Sequence, residues 1–272
     1  MMSLLQALIL GIVQGVTEYI PVSSSAHLVL VPWLVGWPLP PFTFDVLVQW
    51  GTLVGVVVYF GRDLWSVLRG SVVGVVNRQP LATPEARLGW YIVVGTIPAV
   101  VFGFLFKSTF EAVFQQPLYV AGLLFGTALM LVLAELRGRQ TLQLKQMRLW
   151  DALDIGLWQV AAMLPGISRS GATITGAMLR DFDRPSAARF SFLLSVPALV
   201  GAGVLAIKDL LEAGVILDDL PALLIGFVAA AVSGYLSIRW LLGYLQRNRL
   251  TAFAGYCALF GAACLALALV RG

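Results

Sequence analysis

The stretch QGVTEYIPVSSSAHLVLV, residues 14–31, places polar and ionisable side chains inside a segment that is otherwise compatible with lipid. It contains the carboxylate of Glu18, three consecutive serines and His27, the only histidine of the chain. Burying such groups at membrane depth is costly unless they are paired with one another. The stretch therefore indicates a functional site within a membrane protein.

The spacing inside this stretch predicts a helix, a turn and a second helix. Gln14 and Glu18 are four residues apart and share one face of the first helix, which Pro21 ends. A second helix that begins near Ala26 has the serines 23–25 at its N-terminus. Free backbone N–H groups at that end of a helix favour an anion.

The composition of the whole chain agrees with a membrane location. Of 272 residues, 59% are hydrophobic and 12% are charged, whereas a soluble domain carries about a quarter charged residues. The net charge is +4, but the basic residues cluster in short loops between apolar runs. They are therefore interpreted as topology signals, and no nucleic-acid partner is expected.

The apolar runs are of two kinds. Six are long enough to cross a bilayer of ~30 Å, which requires ~20 residues. They cover approximately residues 44–61, 88–106, 118–136, 188–207, 220–241 and 251–270. Two others, 3–35 and 152–180, are interrupted by Pro, Gly and Ser, which is typical of re-entrant hairpins whose polar tips lie inside the membrane.

Internal matches indicate that the chain is a duplication. The matched pairs are Pro21 with Pro165 and Ser24 with Ser168 at a shift of 144, and residues 53–64 with 199–210 at a shift of 146. Each copy, about 1–137 and about 150–272, is then one hairpin followed by three spanning helices. Because three helices cross and the hairpin does not, the second copy is inverted. We predict one all-α integral membrane domain whose two hairpin tips meet near the midplane.

The basic residues test the orientation of this arrangement. Alternating segments place the following on one side: Arg62, Arg69, Arg78, Arg87, Arg137, Arg139, Lys145, Arg148, Arg180, Arg184, Arg189, Arg239, Arg247 and Arg249. The other side has Lys107, Lys208 and Arg271. Because cytoplasmic loops are rich in Lys and Arg, both termini and the mouth of the first hairpin are predicted to face away from the cytoplasm.

The second hairpin tip reads LPGISRSGATITG, residues 164–176. Pro165-Gly166 breaks the helix, and Arg169 follows, flanked by Ser168 and Ser170, with Thr173 about one turn further on. An Arg fork among hydroxyls at a helix N-terminus is typical of a phosphate site, because the guanidinium makes bidentate, charge-assisted contacts.

Bringing both tips together predicts a single polar pocket. Its members are Gln14, Glu18, Ser23, Ser24, Ser25, His27, Ser168, Arg169, Ser170 and Thr173. This set suits phosphoryl transfer, in which Arg169 stabilises phosphate charge, a hydroxyl attacks or positions water, and a His or carboxylate moves the proton. Ser24 is the preferred nucleophile, His27 can supply its base, and Glu18 holds a cation or polarises the attacking group. Glu18 together with phosphate oxygens can hold a divalent cation, Mg²⁺ or Ca²⁺.

Two other classes of function compete with this interpretation. Inverted repeats with broken helices are also a transporter architecture, so a polyprenyl-phosphate carrier or flippase is the main alternative. A carrier needs an anion site but does not need a histidine and a nucleophilic hydroxyl beside the arginine. A structural scaffold does not explain Arg169 at membrane depth. The individual residues also have structural interpretations, His27 as a buried polar residue and Ser23 or Ser25 as a helix cap.

The two motifs QGVTEYIPVSSSAH and PGISRSGAT resemble the signature motifs of the undecaprenyl-diphosphate phosphatase family, the bacitracin-resistance proteins. The resemblance extends along the chain and includes FDVLVQWGTL between the motifs. It implies hydrolysis of undecaprenyl diphosphate to the monophosphate in the bacterial cytoplasmic membrane, which recycles the lipid carrier for cell-wall synthesis. It also implies interlocked inverted repeats and a divalent metal requirement. A homodimer is compatible with the sequence, which does not determine the oligomeric state.

Matched residue by residue, the resemblance gives the same site. The acidic pair of the first motif falls on Gln14 and Glu18, its serines on Ser23 and Ser24 and its histidine on His27; the second motif contributes Arg169 with Ser168, Ser170 and Thr173. Two positions depart from the family pattern. Many members have Glu where this chain has Gln14, which leaves Glu18 as the expected metal ligand. Ala26 stands where Gly is common, which predicts ordinary helical dihedrals there.

Overall fold

The computed structural model describes residues 2–106, 116–212 and 220–271, which are almost entirely helical. The helices are α1 (Leu4–Tyr19), α2 (Ser24–Val35), α3 (Phe42–Tyr59), α4 (Gly61–Val76), α5 (Pro84–Leu105), α6 (Pro117–Arg137), α7 (Leu149–Ala161), α8 (Arg169–Leu179), α9 (Arg184–Glu212), α10 (Leu220–Tyr244) and α11 (Thr251–Arg271). A 3-10 turn lies at Leu144–Gln146. Six helices, α3, α5, α6, α9, α10 and α11, contain segments that are long and apolar enough to cross a membrane, which confirms the predicted spans. The protein is an all-α, multi-pass membrane protein.

Both predicted hairpins are present as pairs of short helices. The first pair is α1 and α2, joined by residues 20–23, and the second is α7 and α8, joined by residues 162–168. Their helices have 11 to 16 residues, fewer than the ~20 that a single crossing requires. Each pair ends in a turn that contains the proline predicted to break the helix.

Small residues seat the first hairpin against α10. A Cβ on Gly11 would lie 2.4 Å from the backbone oxygen of Gly226, and one on Gly15 would lie 2.5 Å from that of Ala230. Helix α3 packs on another side of α10 through Gly51, next to the backbone of Phe227. In lipid, where the surroundings are as apolar as the helices, close backbone packing of this kind is a main source of helix association.

The two halves of the chain interlock through their hairpins. The first hairpin packs on α10 of the second half, and α7 of the second hairpin packs on α5 of the first half. At that second contact the backbones of Gly95 and Gly156 touch, since a Cβ on Gly156 would lie 2.3 Å from the oxygen of Gly95. Helices α6 and α11, which end the two halves, pack against each other. Apart from α4, the order of helices recurs, whereas the inversion of the second copy stays a prediction.

Helix α4 was not predicted from the sequence. The apolar run 44–61 was expected to lead into a loop, but a second helix begins at Gly61, directly after the single non-helical residue Phe60. In the matched segment of the second half, α9 continues as one helix from Arg184 to Glu212. Gly is a poorer helix former than other residues by up to ~1 kcal/mol, which favours the break at Gly61. The 16 residues of α4 are too few to span a bilayer, so length did not reveal it.

A buried ion pair ties together three helix ends on the side that is rich in basic residues. Glu135, near the end of α6, accepts from Nε of Arg184 at 2.7 Å and from the backbone N–H of Leu250 at 2.8 Å. Its side chain is 4% exposed. Of the three basic residues expected on the opposite side, Lys107 lies outside the described residues. The orientation of the protein in the membrane stays a prediction.

The Glu135→Gln variant is predicted to lower thermal stability. It removes the charge that compensates Arg184, and breaking a buried pair in this way costs roughly 3 kcal/mol. The buried thiols of Cys257 and Cys264 report unfolding, because a thiol-reactive dye reaches them only when the helices open. We expect a clearly lower midpoint of dye reaction in detergent. Asp63→Asn is the matched control, because its pair with Arg189 is about half exposed and contributes little. Equal midpoints for the two variants would contradict the prediction.

Candidate active site

The first hairpin places Gln14 and Glu18 on the buried face of α1. They lie one helical turn apart, and Nε2 of Gln14 donates to Oε2 of Glu18 at 3.0 Å. Both side chains are almost fully buried. The predicted placement of this pair on one helical face is therefore confirmed.

Helix α2 begins at the serines, earlier than the expected start near Ala26. Ser23 is its N-cap, with a φ of 71° and its Oγ accepting from the backbone N–H of Ala26 at 3.4 Å. A positive φ is uncommon for a residue with a side chain, and here it turns the chain sharply into α2. Ser24 is thereby the first residue of the helix, and its Oγ donates to Oε2 of Glu18 at 2.6 Å.

The second hairpin brings Arg169 to the same carboxylate. Arg169 is the first residue of α8, and Ser168 caps that helix by accepting from the N–H of Gly171 at 3.1 Å. Nη2 of Arg169 lies 2.7 Å from Oε1 of Glu18. The Glu18 carboxylate therefore joins the two hairpins, contacting Ser24 with one oxygen and Arg169 with the other.

The capping residues correct the pairing of the two tips. By position in the fold, Ser23 corresponds to Ser168 as N-cap, so Ser24 corresponds to Arg169 and not to Ser168 as the sequence match had it. The second tip has one extra residue after its proline, Gly166, which has a φ of +109°. A Cβ there would lie 2.6 Å from the backbone oxygen of Val120, so the insertion requires glycine.

The other hydroxyls predicted to bind an anion are occupied within the protein. Oγ of Ser168 and Oγ of Ser170 lie 3.1 Å apart, and Ser170 also reaches the backbone oxygen of Ile20 at 3.5 Å. Thr173 donates to the backbone oxygen of Arg169 at 2.8 Å or to Ser191, whose hydroxyl is 2.6 Å away. These residues support the second tip, and their predicted role in binding substrate stays a prediction.

Two supports of this tip were not found from the sequence. Thr127 of α6 donates to the backbone oxygen of Gly166 at 2.8 Å and accepts from the N–H of Ser168 at 2.9 Å. Ser191 of α9 holds Thr173. Both lie within long apolar helices, and hydroxyls in such helices commonly bond to their own backbone, so no pattern distinguished them.

His27 has partners other than the expected one. Its Nδ1 lies 2.8 Å from the backbone oxygen of Ser23, and its Nε2 lies 2.7 Å from the hydroxyl of Tyr256 on α11. The ring also stacks on Phe260, with centroids 4.8 Å apart. Because a carbonyl oxygen only accepts, Nδ1 carries a proton, and in the neutral ring Nε2 accepts from Tyr256. The partner of the Ser24 hydroxyl is Glu18, whereas His27 had been expected to take that position.

Two side chains of the site, Gln14 and Glu18, carry oxygen atoms of the type that a hard cation binds. Oε1 of Gln14 is buried and has no hydrogen-bond partner among the described residues. With the Glu18 carboxylate it offers oxygen ligands of the kind that Mg²⁺ and Ca²⁺ prefer. Within the described ranges, no three His, Cys, Asp or Glu side chains come together as a metal site. A cation held here would therefore take its remaining ligands from an anionic ligand or from water.

Comparisons with known proteins agree on one family. The family model described as bacitracin resistance protein BacA matches residues 7–263. An undecaprenyl-diphosphatase of Chlorobaculum tepidum is 44% identical over 271 residues, covering 96% of this chain and 95% of the relative. A protein of the same name from Moorella thermoacetica is 43% identical over 270 residues, covering 99% of this chain and 100% of the relative. A third, from Geobacter metallireducens, is 43% identical and covers 97% and 98%.

Tyr256→Phe is predicted to change the environment of His27 without unfolding the protein. Because the chain has a single histidine, ¹⁵N-histidine labelling reports one imidazole. We expect the wild-type protein at neutral pH to show a protonated Nδ1 and an unprotonated, hydrogen-bonded Nε2. The variant should shift the Nε2 resonance, while the Nδ1 signal stays. Tyr119→Phe, at an exposed position on α6, is the control and should leave both signals unchanged. A proton on Nε2 in the wild type would contradict the assignment.

Proposed function

The chain belongs to the bacitracin resistance protein BacA family, and on this basis we propose that it is an undecaprenyl-diphosphate phosphatase. The enzyme hydrolyses undecaprenyl diphosphate to undecaprenyl phosphate and inorganic phosphate, which recycles the lipid carrier for cell-wall synthesis and confers resistance to bacitracin. The match covers nearly the whole chain and nearly the whole of each relative. A carrier function without hydrolysis is not favoured.

The observation that supports the chemistry best is the Glu18 carboxylate between Ser24 and Arg169. The Ser24 hydroxyl already donates to Glu18, so a base is within hydrogen-bond distance of the proposed nucleophile. Arg169 supplies a planar cation at the same place, and a guanidinium is well suited to phosphate oxygens. A nucleophile, its base and a group that stabilises phosphate charge are the parts that phosphoryl transfer requires.

The proposed reaction has two steps. In the first, Oγ of Ser24 attacks the terminal phosphorus, its proton passes to Glu18, and the bond to the bridging oxygen breaks, so that undecaprenyl phosphate leaves. In the second, water attacks the phosphorus of the phosphoserine, the bond to Oγ breaks, Glu18 returns its proton to Oγ, and inorganic phosphate leaves. His27 lies one turn after Ser24 on α2, and in this proposal it accepts the proton of the attacking water.

A divalent cation fits the site as a partner of the substrate. Glu18 and Gln14 would hold it from the protein side, and the phosphate oxygens would complete its coordination. When bound, it neutralises part of the phosphate charge and polarises a phosphoryl oxygen. The substitution of Glu by Gln14 leaves one carboxylate for this purpose.

The location proposed for the enzyme is the bacterial cytoplasmic membrane. Six apolar helices make it a multi-pass protein, and its relatives are bacterial. The fourteen basic residues on one side support an orientation with both termini and the opening of the site on the extracytoplasmic side.

Ser24→Ala is predicted to reduce phosphate release by roughly 10²-fold or more, since loss of a nucleophile costs at least as much as loss of acid–base help. Binding of a non-hydrolysable polyprenyl diphosphate should change little. Ser25→Ala is the matched control, because that hydroxyl contacts Ser23 and the backbone N–H of Gly166 instead of Glu18. It should retain activity within about tenfold. Single-turnover phosphate release and equilibrium binding are the two measurements.

His27→Ala should also slow hydrolysis by orders of magnitude with modest change in binding. The double variant with Ser24→Ala should be little worse than the slower single variant, because residues that act as a unit are not additive. If both single variants hydrolyse normally but bind poorly, these residues are ligands, and a carrier function becomes the better proposal.

The orientation is tested by labelling single cysteines in sealed cells. Leu39→Cys lies between α2 and α3, and Gln146→Cys lies in the loop before α7; both positions are exposed. We expect a membrane-impermeant thiol reagent to label position 39 from outside and position 146 only after the cells are opened. The native Cys257 and Cys264 are buried and give little background. Labelling of both positions from outside would contradict the inverted topology.

A further inference from the structure

Every oxygen of the Glu18 carboxylate is already engaged within the protein. Oε1 faces Nη2 of Arg169 at 2.7 Å, and Oε2 accepts from Gln14 at 3.0 Å and from Ser24 at 2.6 Å. The side chains of Glu18 and Arg169 are 7% and 15% exposed, so water screens this ion pair little. The negative charge of Glu18, which would bind a cation, and the positive charge of Arg169, which would bind a phosphate, therefore neutralise each other.

Two polar atoms next to this pair are left over. Nη1 of Arg169 and Oε1 of Gln14 are both buried and have no hydrogen-bond partner among the described residues. A donor beside the arginine suits an anion, and a carbonyl oxygen beside the carboxylate suits a cation. An anion can therefore bind Nη1 of Arg169, and a cation can bind Oε1 of Gln14. The charges of Arg169 and Glu18 themselves are neutralised by their ion pair.

We propose that the Glu18–Arg169 ion pair is a lock, meaning that in the unliganded protein each of the two residues blocks the ligand of the other. A divalent cation and the diphosphate then bind with positive coupling, and each binds weakly alone. The proposal rests on the proposed function in taking a diphosphate as the anion. The first ligand has to separate the pair, and the second then finds its partner released. Couplings of this kind typically change affinity by roughly 5–150-fold.

The lock predicts that removing one partner tightens binding of the opposite ligand. Glu18→Gln keeps the shape of the side chain but removes its charge, which releases Arg169. The variant should bind methylenediphosphonate, without any divalent cation, roughly tenfold or more tightly than the wild type. Arg169→Gln releases Glu18 in the same way, and it should bind Mg²⁺ alone more tightly than the wild type. Both variants should be inactive, so tighter binding accompanies loss of hydrolysis.

Tighter anion binding by Glu18→Gln has two possible causes, the release of Arg169 from its ion pair and the loss of repulsion between Glu18 and the anion. A double variant distinguishes them. Removing the Glu18 charge lowers repulsion of any anion, whether or not Arg169 takes part. If the released guanidinium binds the diphosphonate, the gain disappears in the Glu18→Gln, Arg169→Gln protein. Asp151→Asn is the matched control, because Asp151 is another buried carboxylate, paired with Arg180 at 2.7 Å outside the site. It should leave both affinities unchanged.

The measurement is isothermal titration calorimetry on the full chain in detergent. Methylenediphosphonate is titrated in the presence of a chelator, and Mg²⁺ is titrated without chelator and without diphosphonate. Unchanged or weaker diphosphonate binding by Glu18→Gln would overturn the lock, as would a gain that persists in the double variant. If Glu18→Gln does not fold, the Mg²⁺ titration of Arg169→Gln decides alone. If neither variant folds while Asp151→Asn does, the pair is a structural tie and the proposal is wrong.

A separate assay of hydrolysis by the wild-type protein distinguishes failure of the lock from failure of the proposed function. Release of phosphate from undecaprenyl diphosphate without tightened binding in the variants would reject the lock and leave the phosphatase standing. Tightened binding in both variants, without hydrolysis by the wild type, would keep the lock and reject the phosphatase.

Discussion

The structure of the site depends on compensating one buried carboxylate. Glu18 lies on α1, among helices built for lipid, where an unpaired charge costs several kcal/mol. Its partners come from three places in the sequence: Gln14 from its own helix, Ser24 from the next and Arg169 from the other half of the chain. Removing Arg169 leaves Glu18 uncompensated, and the reverse holds equally. The two broken hairpins are therefore held together by the same charges that the proposed chemistry uses.

Close helix packing determines where α1, which carries Glu18, lies along α10. Gly11 and Gly15 let α1 touch the backbone of α10, and a larger residue at either position would collide with backbone atoms that cannot move. Such contacts set the position of α1 along its neighbour. Glu18 follows Gly15 by less than one turn, so its position relative to α10 follows from the glycine contacts. The two glycines therefore help to position Glu18, although they supply no functional group to the site.

Much of this arrangement could be predicted from the sequence, because lipid imposes simple rules. The lengths of the apolar runs gave the six spanning helices, and Pro21 and Pro165 marked the two hairpin tips. What escaped prediction depends on contacts between distant residues. Tyr256 follows His27 by 229 positions and has the pattern of an interfacial aromatic residue. Helix α4 is too short to be read as a span, and the extra residue Gly166 shifts the register of the second tip after its proline.

The cap positions of the two short helices bring residues of different type to one carboxylate. The N-cap serines, Ser23 and Ser168, are equivalent, and so are the residues that follow them, the first of each helix. In one half that residue is Ser24 and in the other it is Arg169, and the two contact different oxygens of the same carboxylate. The cap backbones themselves differ, since Ser23 has a φ of 71° and Ser168 a φ of -70°. In the proposed reaction Ser24 is the nucleophile and Arg169 the cation that stabilises the phosphate, so the two tips contribute different groups from the same helix position.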